Sequence, residues 1–422
     1  MRVALISSEF AGLPRSGGIG TYFDHLTRGL VRSGCEVEVF TSGRVGDLPE
    51  REGVRFHHLG EAAPPLFAYR VVEAFRKAHA ESPFDVLEYG ELKAEGVLAA
   101  QAYPEVARVV RLHSPSVILD RYLDFAPTSW ERFVCVCKQI RVAIGARRRG
   151  LPLRPIHLEP FFQPWPDGRD NAECHAAAEA DVVVVMSEEM RRFAEGHWWI
   201  KPEAIQKVPN PYFSNAVGQT KLAGSAGKNI CTIGFLGRLE VRKGVVELAY
   251  ALAQELPSLP DWVGQFVGRE IGTFWTAKNP KAIAAGILEP VKSQVEFLPS
   301  ISPDHVEDWF ADIDIFAFPS LWDNFPYVIL EAMAAGKAIV ATATGAVPDM
   351  LGDAAEIVKP GDVRGLAKAL RKLMADPDLR AKLGAAAQRR FEERFHPDRV
   401  MGEILEVYRE AMERAKNRRK EV

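Results

Sequence analysis

Two carboxylates, Asp323 and Glu331, stand eight positions apart in the run Ser320-Leu-Trp-Asp323-Asn-Phe-Pro-Tyr-Val-Ile-Leu-Glu331-Ala-Met-Ala. The apolar stretch from Ile313 to Phe318 just ahead of them reads as a buried parallel strand that Pro319 and Ser320 bring to an end. Ligands of open α/β sheets bind beyond that end of a strand. From Tyr327 to Ala335 the residue types favour a helix. Its N-terminus would place the Asn324, Phe325, Pro326, Tyr327 and Val328 segment against a diphosphate, which backbone hydrogen bonds and the helix dipole would hold. Glu331, one turn in, suits two ribose hydroxyls. The chemistry these residues suggest is that of a sugar-nucleotide site.

Three further segments have the position and residue types of a ligand site. Phe235-Leu-Gly237-Arg238-Leu-Glu-Val-Arg242-Lys243-Gly244 follows a strand and precedes a helical stretch from Val245 to Glu255. Cations there would stabilise the charge that a nucleoside diphosphate gains as its glycosidic bond breaks. Two basic residues in a loop, taken alone, are more often solvated surface charges. Ser16-Gly17-Gly18-Ile19-Gly20-Thr21 lies after the first strand and opens a helix, so Gly17 and Gly18 allow close backbone approach to a phosphate or sugar. The spacing of a dinucleotide fingerprint is absent. Arg111-Leu112-His113-Ser114-Pro115 ends another strand, where a neutral imidazole can bond a sugar hydroxyl; a lone histidine at a strand end is more often structural.

The acidic segment resembles the acidic-x7-acidic motif of family-four retaining glycosyltransferases, usually written Glu-Gly-Phe-(Gly or Pro)-x-x-x-x-Glu-Ala-Met-Ala. The chain departs from it at Asp323, for Glu, and at Asn324, for Gly. The Arg238 to Gly244 loop is similar to the family's Gly-Arg-Leu-x-x-x-Lys-Gly, and the Gly17-Gly18 loop and His113 match family positions. Ala180-Asp181 through Ser187 also resembles a family segment, in which Ser187 reads as a helix N-cap. The resemblance implies a GT-B fold in which the first acid contacts the transferred sugar and the second the ribose. It makes His113, Arg238, Lys243 and Asp323 the catalytic set, with Arg238 and Lys243 on the diphosphate. It implies a donor that is a nucleoside-diphosphate sugar, an acceptor hydroxyl of unknown identity, no cofactor, and retention by same-face displacement. Glycan, glycolipid or glycosylated-metabolite biosynthesis is the expected setting. A nucleotide-sugar epimerase of the same fold and a non-turning-over nucleotide-sugar-binding protein are the alternatives.

The elements needed to position these residues are legible along the chain. At 422 residues it exceeds the size at which one core stops growing, so two domains of about 200 residues are expected. Arg2–Ser7, Glu36–Phe40, Val86–Tyr89, Val106–Leu112 and Asp181–Met186 read as strands with helical patterns between several of them. Val208-Pro-Asn-Pro-Tyr212 and the polar stretch after it read as a linker. A second strand series then runs through Ile230–Leu236, Trp262–Val267, Val295–Leu298, Ile313–Phe318, Ala338–Ala341 and Ala355–Val358. The expectation is α/β throughout: two doubly wound, Rossmann-like domains facing a cleft, over residues 1–212 and 213–396. A helix over 397–422 follows, which in the family often packs back on the first domain.

Composition removes several other classes. A hydrophobic fraction of 47% with 26% charged residues is globular, and no window approaches the ~18 consecutive apolar residues of a membrane span. The N-terminal run lacks a signal peptide's length and cleavage site, which points to the cytoplasm. Five scattered cysteines suit reduced thiols. Cys135 and Cys137 lack the partners of a zinc site, and Asp312-Ile-Asp314 reads as a cap or turn, so no metal is expected. A net charge of −3 argues against nucleic acid as a partner. The basic and apolar stretch from Arg132 to Arg154 suits peripheral contact with an anionic membrane surface, and equally a solvated basic face.

Overall fold

A computed structural model describes residues 1–13, 16–48, 51–61, 64–119, 172–214, 230–255, 261–270 and 279–421. The basic stretch at 132–154, with Cys135 and Cys137, lies outside them. Seven strands form the first sheet: β1 Arg2–Ile6, β2 Glu36–Thr41, β3 Val54–His58, β4 Val86–Gly90, β5 Ala107–Arg111, β6 Val182–Val185 and β7 Ile205–Lys207. Six form the second: β8 Cys231–Leu236, β9 Trp262–Val267, β10 Val295–Leu298, β11 Ile315–Phe318, β12 Ala338–Thr342 and β13 Glu356–Val358. Their orders are β3-β2-β1-β4-β5-β6-β7 and β10-β9-β8-β11-β12-β13, and the pairings are parallel. These are two Rossmann-like α/β domains.

Strands buried on both faces read as unbroken apolar runs rather than alternating ones. Val182 to Val185 and Ile315 to Phe318 are such runs, and all their residues are buried. Two strands, β3 and β7, escape sequence reading for the converse reason. β3 is a half-buried edge strand, Val-Arg-Phe-His-His, and β7 is only three residues long, so neither carries the signal of a buried strand.

In each sheet the direction of winding reverses at one place, between β1 and β4 in the first and between β8 and β11 in the second. A crevice opens at such a reversal because the flanking connections leave to opposite faces. The loops after β1, β4, β8 and β11 contain the glycine loop, Glu91, Arg238 to Lys243, and Asp323. The last helix, α4 (Pro397–Glu421), runs back over the first sheet. Its Tyr408 hydroxyl donates to Glu88 Oε2 at 2.6 Å, and Arg418 pairs with Asp181 at 2.6 Å. Glu88 is fully buried and also takes Tyr22 and Arg111, while Arg111 donates to Val208 O at 3.0 Å and Asn210 Oδ1 at 3.2 Å. A buried carboxylate is tolerable only with this many partners. The node ties the last helix and the inter-domain connection to the first sheet.

Candidate active site

The second-domain site is assembled by backbone contact between loops. Gly244 has φ +69°, and a Cβ there would lie 2.0 Å from Pro319 O; Gly345 has φ +51°, and a Cβ would lie 1.9 Å from Asp323 O. Only glycine supplies both the left-handed backbone and the room. The loops after β8, β11 and β12 thus meet main chain to main chain, and this brings Lys243 onto Asp323.

Lys243 Nζ and Asp323 Oδ2 form a short, largely buried ion pair, and Arg242 Nη1 stands 3.7 Å from the same oxygen. Burial alone would raise the Asp323 carboxyl, but Lys243 and Arg242 hold it below its ordinary value, so it is ionised at neutral pH. Arg242 also donates to Trp322 O at 3.0 Å and to Glu240 at 2.8 Å. Arg238 lies at the mouth, its side chain 44% exposed and 3.1 Å from Glu240. Three cations against the carboxylates of Asp323 and Glu240 leave a net positive crevice, which suits a polyanion.

Glu331 lies in the first turns of α3 (Tyr327–Ala334; α1 and α2 are Gly18–Arg32 and Glu188–His197). It is half-buried and has no hydrogen-bond partner among the described residues. Burial, with help from Glu307, pushes its carboxyl up to about 7. A half-buried carboxylate without partners is costly unless something else supplies donors. Two ribose hydroxyls are donors of the required kind.

Several expected donor contacts look elsewhere. Phe325 and Tyr327 are buried, Phe325 against Phe395 and Tyr327 against His25, with the Tyr327 hydroxyl on Pro211 O at 3.3 Å. Pro326 is the N-cap of α3 and has no N–H, so the backbone donors at this helix start are those of Phe325, Tyr327 and Val328. The Asn324 side chain crosses to the first domain, donating to Leu112 O at 2.8 Å and His113 O at 2.6 Å. Its side-chain nitrogen is thereby engaged with the first domain. Lys243, expected on the diphosphate, is paired with Asp323.

The first-domain side is shaped by carboxylates that accept backbone amides. Glu9 Oε2 takes Gly17 N at 3.0 Å, and Glu95 takes Ser8 N at 2.7 Å and its hydroxyl at 2.5 Å. Glu91 takes His113 N at 2.7 Å and Ser114 N at 2.6 Å. Glu173 takes Ser116 N at 2.9 Å and Lys93 N at 3.1 Å. Burial, then the neighbouring Glu173, pushes Glu91 up to about 8. His113 is buried against Tyr22, its Nε2 lacks a partner among the described residues, and burial with Arg111 lowers it to about 3. It is a neutral imidazole. Gly17 N-caps α1, and a Cβ on Gly18 would meet nothing within 4 Å, so the helix start is open in front.

Sequence reasoning passed over Arg242, Glu189, Glu91 and Glu95. Arg242 stood inside the recognised loop and its charge was a usable signal. The glutamates act on distant backbone, which no local spacing announces. Ser187 does cap its helix, accepting from Met190 N at 3.0 Å, and Asp314 accepts Thr232 N at 2.8 Å. Among the described residues no group of three or more His, Cys, Asp or Glu is placed to hold a metal ion, and no helix is long and apolar enough to cross a membrane.

The chain matches the model of Glycosyltransferase Family 4 over residues 16–212 and that of Glycosyl transferases group 1 over 230–376. It is 27% identical over 439 residues to a D-inositol 3-phosphate glycosyltransferase of Xylanimonas cellulosilytica, covering 98% of this chain and 97% of the relative. A protein of the same name from Streptomyces coelicolor is 24% identical, covering 99% and 93%. Among solved structures, sucrose-phosphate synthase from Thermosynechococcus elongatus superposes with a TM-score of 0.72 at 20% identity, over 97% of this chain and 98% of that one. Anabaena HepE in complex with UDP-glucose gives 0.65 at 18%, over 96% and 99%. The chain belongs to the family-four glycosyltransferases, a GT-B enzyme that moves a sugar from a nucleotide-sugar donor to an acceptor.

Proposed function

We propose that the donor is a nucleoside-diphosphate hexose held on the second domain and that the acceptor is a hydroxyl of a cyclic polyol or sugar held on the first. Two observations carry the donor half: the half-buried Glu331 carboxylate of α3, without a hydrogen-bond partner among the described residues, and the Arg238, Arg242 and Lys243 cluster at Asp323, in the loop just ahead of that helix. Glu331 accepts the ribose hydroxyls, and the amides of Phe325, Tyr327 and Val328 face the diphosphate. Lys243 exchanges part of its bond to Asp323 for the phosphate, and Arg238 swings in from the mouth. Asp323 takes a hydroxyl of the transferred hexose.

The acceptor half rests on the polar first-domain loops of Ser7, Ser8, Glu9, Lys93 and Glu95; their shared crevice, about 10 Å³, is too small for a ring, so an acceptor would lie across its rim. Lys93 holds φ +64°, a backbone conformation that non-glycine residues rarely adopt and that collects at functional sites. The named relatives act on an inositol phosphate, and Lys93 would suit an anionic substituent on such a ring. As the bond to the diphosphate breaks, the departing oxygen, held by the cations, accepts the acceptor's proton on the same face, and configuration is retained. His113, neutral and against the seam, offers a hydrogen bond rather than a charge. No carboxylate is placed as a covalent nucleophile in this reading. Domain boundaries at 212/213 and 396/397, a cytoplasmic setting and no metal requirement belong to the same proposal.

A thermal-shift panel of nucleoside diphosphates and their hexose conjugates tests it. A true ligand at a hundred times its Kd stabilises the fold by about 2.7 kcal/mol. Turnover with inositol phosphate and with free sugars as acceptors, read by the anomeric coupling of the product, then tests retention. Lack of stabilisation by every nucleoside diphosphate would overturn the donor assignment, and an epimer from donor alone would favour the isomerase.

A further inference from the structure

The residues on either side of Asp323 belong, by their side chains, to the opposite domain. Trp322 is 3% exposed and sits in the first domain's apolar cluster with Ile6, Val110, Leu112, Met190 and Ala194. Its indole N–H donates to Glu189 Oε1 at 3.1 Å, from the first turn of α2. The other oxygen of Glu189 takes Gly345 N at 2.9 Å, the residue that packs on the Asp323 carbonyl. Asn324 is 2% exposed and holds the carbonyls of Leu112 and His113. Those carbonyls are themselves fixed, because Glu91 accepts the next amides along.

The main chain of the same loop is held from its own side. Arg242 reaches Trp322 O at 3.0 Å, Thr344 Oγ1 takes Asp323 N at 3.2 Å, and Ala346 N donates to Asn324 O at 2.7 Å. Backbone anchors therefore come from the second domain and side-chain anchors from the first. Parting the domains would expose the indole and break the bonds of Asn324 to Leu112 O and His113 O and of Trp322 to Glu189, so the first-domain anchors are available only in the closed arrangement.

We propose that Trp322 and Asn324 are positioning residues that carry the placement of Asp323 across the domain boundary, so that its carboxylate is set for the donor sugar only when the first domain has closed on it. The proposal rests on the reading of Asp323 as the sugar-facing acid. It gives Asn324, where the family usually has glycine, a definite task. The acid is coupled to the domain that holds the acceptor, and turnover is coupled to closure rather than to donor binding alone.

The test uses the full chain and three variants. Asn324→Asp keeps the shape but sets a carboxylate against two carbonyl oxygens, Asn324→Gly restores the common family residue, and Trp322→Phe keeps the apolar plug without the indole donor. The measurements are kcat at saturating donor, Kd for free UDP by calorimetry, and the radius of gyration by small-angle scattering with and without UDP. Asn324→Asp should lower kcat by about tenfold or more and raise the UDP-free radius of gyration, with the UDP Kd within about twofold of wild type; the other two should move the same way by less. Unchanged kcat and radius in Asn324→Gly and Trp322→Phe would overturn the proposal, even if Asn324→Asp fails to fold. A fall in UDP affinity matching the fall in kcat would also overturn it, by making Asn324 a ligand contact. Scattering without UDP reads the closure independently of turnover. Wild-type failure to bind any nucleoside diphosphate would instead remove the donor reading.

Discussion

The two crevices stand at the same topological place and are built from opposite charges. In the second domain, Arg238, Arg242 and Lys243 surround Asp323. In the first, Glu9, Glu91, Glu95 and Glu173 turn inward to hold the amides of the surrounding loops. In the proposed reading the cations of the second domain meet a ligand of fixed chemistry, a diphosphate and a ribose. Carboxylates in the first domain face the protein's own backbone and leave the acceptor surface to whatever the loops present. The shared winding determines where a ligand sits, and side chains alone decide which ligand.

The largest effects should come from the cationic side. Lys243→Ala leaves buried Asp323 with Arg242, at 3.7 Å, and the more distant Arg238 for compensation, and Arg238→Ala removes the cation at the mouth. Each should lower turnover by about 100- to 1,000-fold, with a smaller loss of donor affinity, because the leaving diphosphate carries most charge in the transition state. If kcat were unchanged and only KM rose, the two crevices would differ in binding but not in catalysis. Circular dichroism must show the variants folded for that reading.

Glu331→Ala should weaken nucleotide sugar and free diphosphate alike, by about 1.5 to 3 kcal/mol, since the ribose is common to both. The same carboxyl supplies a pH signature. Burial and Glu307 hold it near 7, so it is protonated below that value and a full acceptor of two hydroxyls above it. Nucleoside-diphosphate affinity should rise with pH through about 7, by up to about tenfold per pH unit of shortfall below it. Glu331→Gln should remove that part of the slope. An unchanged slope in the glutamine variant assigns the pH dependence to the phosphate and takes Glu331 off the ribose.

On the acidic side, Glu95→Ala should raise acceptor KM several-fold while leaving nucleoside-diphosphate Kd unchanged, because it frees the Ser8 amide and hydroxyl at the crevice wall. Equal losses for donor and acceptor would erase the division of labour. Smallest in magnitude, Asp323→Glu should reorder a panel of donor sugars with little change in melting temperature. One added methylene must fit between Lys243 and the sugar, and the Asp323 side chain itself points into the crevice while its neighbours Trp322 and Asn324 hold the loop. An unchanged order of kcat/KM means that Asp323 does not read the sugar.

The sequence alone determined the parts whose signals are local. Buried strands of apolar residues follow from short-range sterics, and the Arg238 to Lys243 and Asp323 to Glu331 spacings are legible because the chemistry proposed for them is local in sequence. Edge strands β3 and β7 were lost because half-buried polar residues carry no such periodicity. Tertiary structure alone decided that Lys243 pairs with Asp323, that Tyr327 faces His25, and that Asn324 reaches Leu112 and His113 across more than two hundred positions of chain. It decided too that Glu91 and Glu95 serve backbone amides. Hydrogen bonds between distant segments depend on how two separately wound domains meet, and burial alters the ionisation of Glu331 and His113 only after that meeting has excluded water.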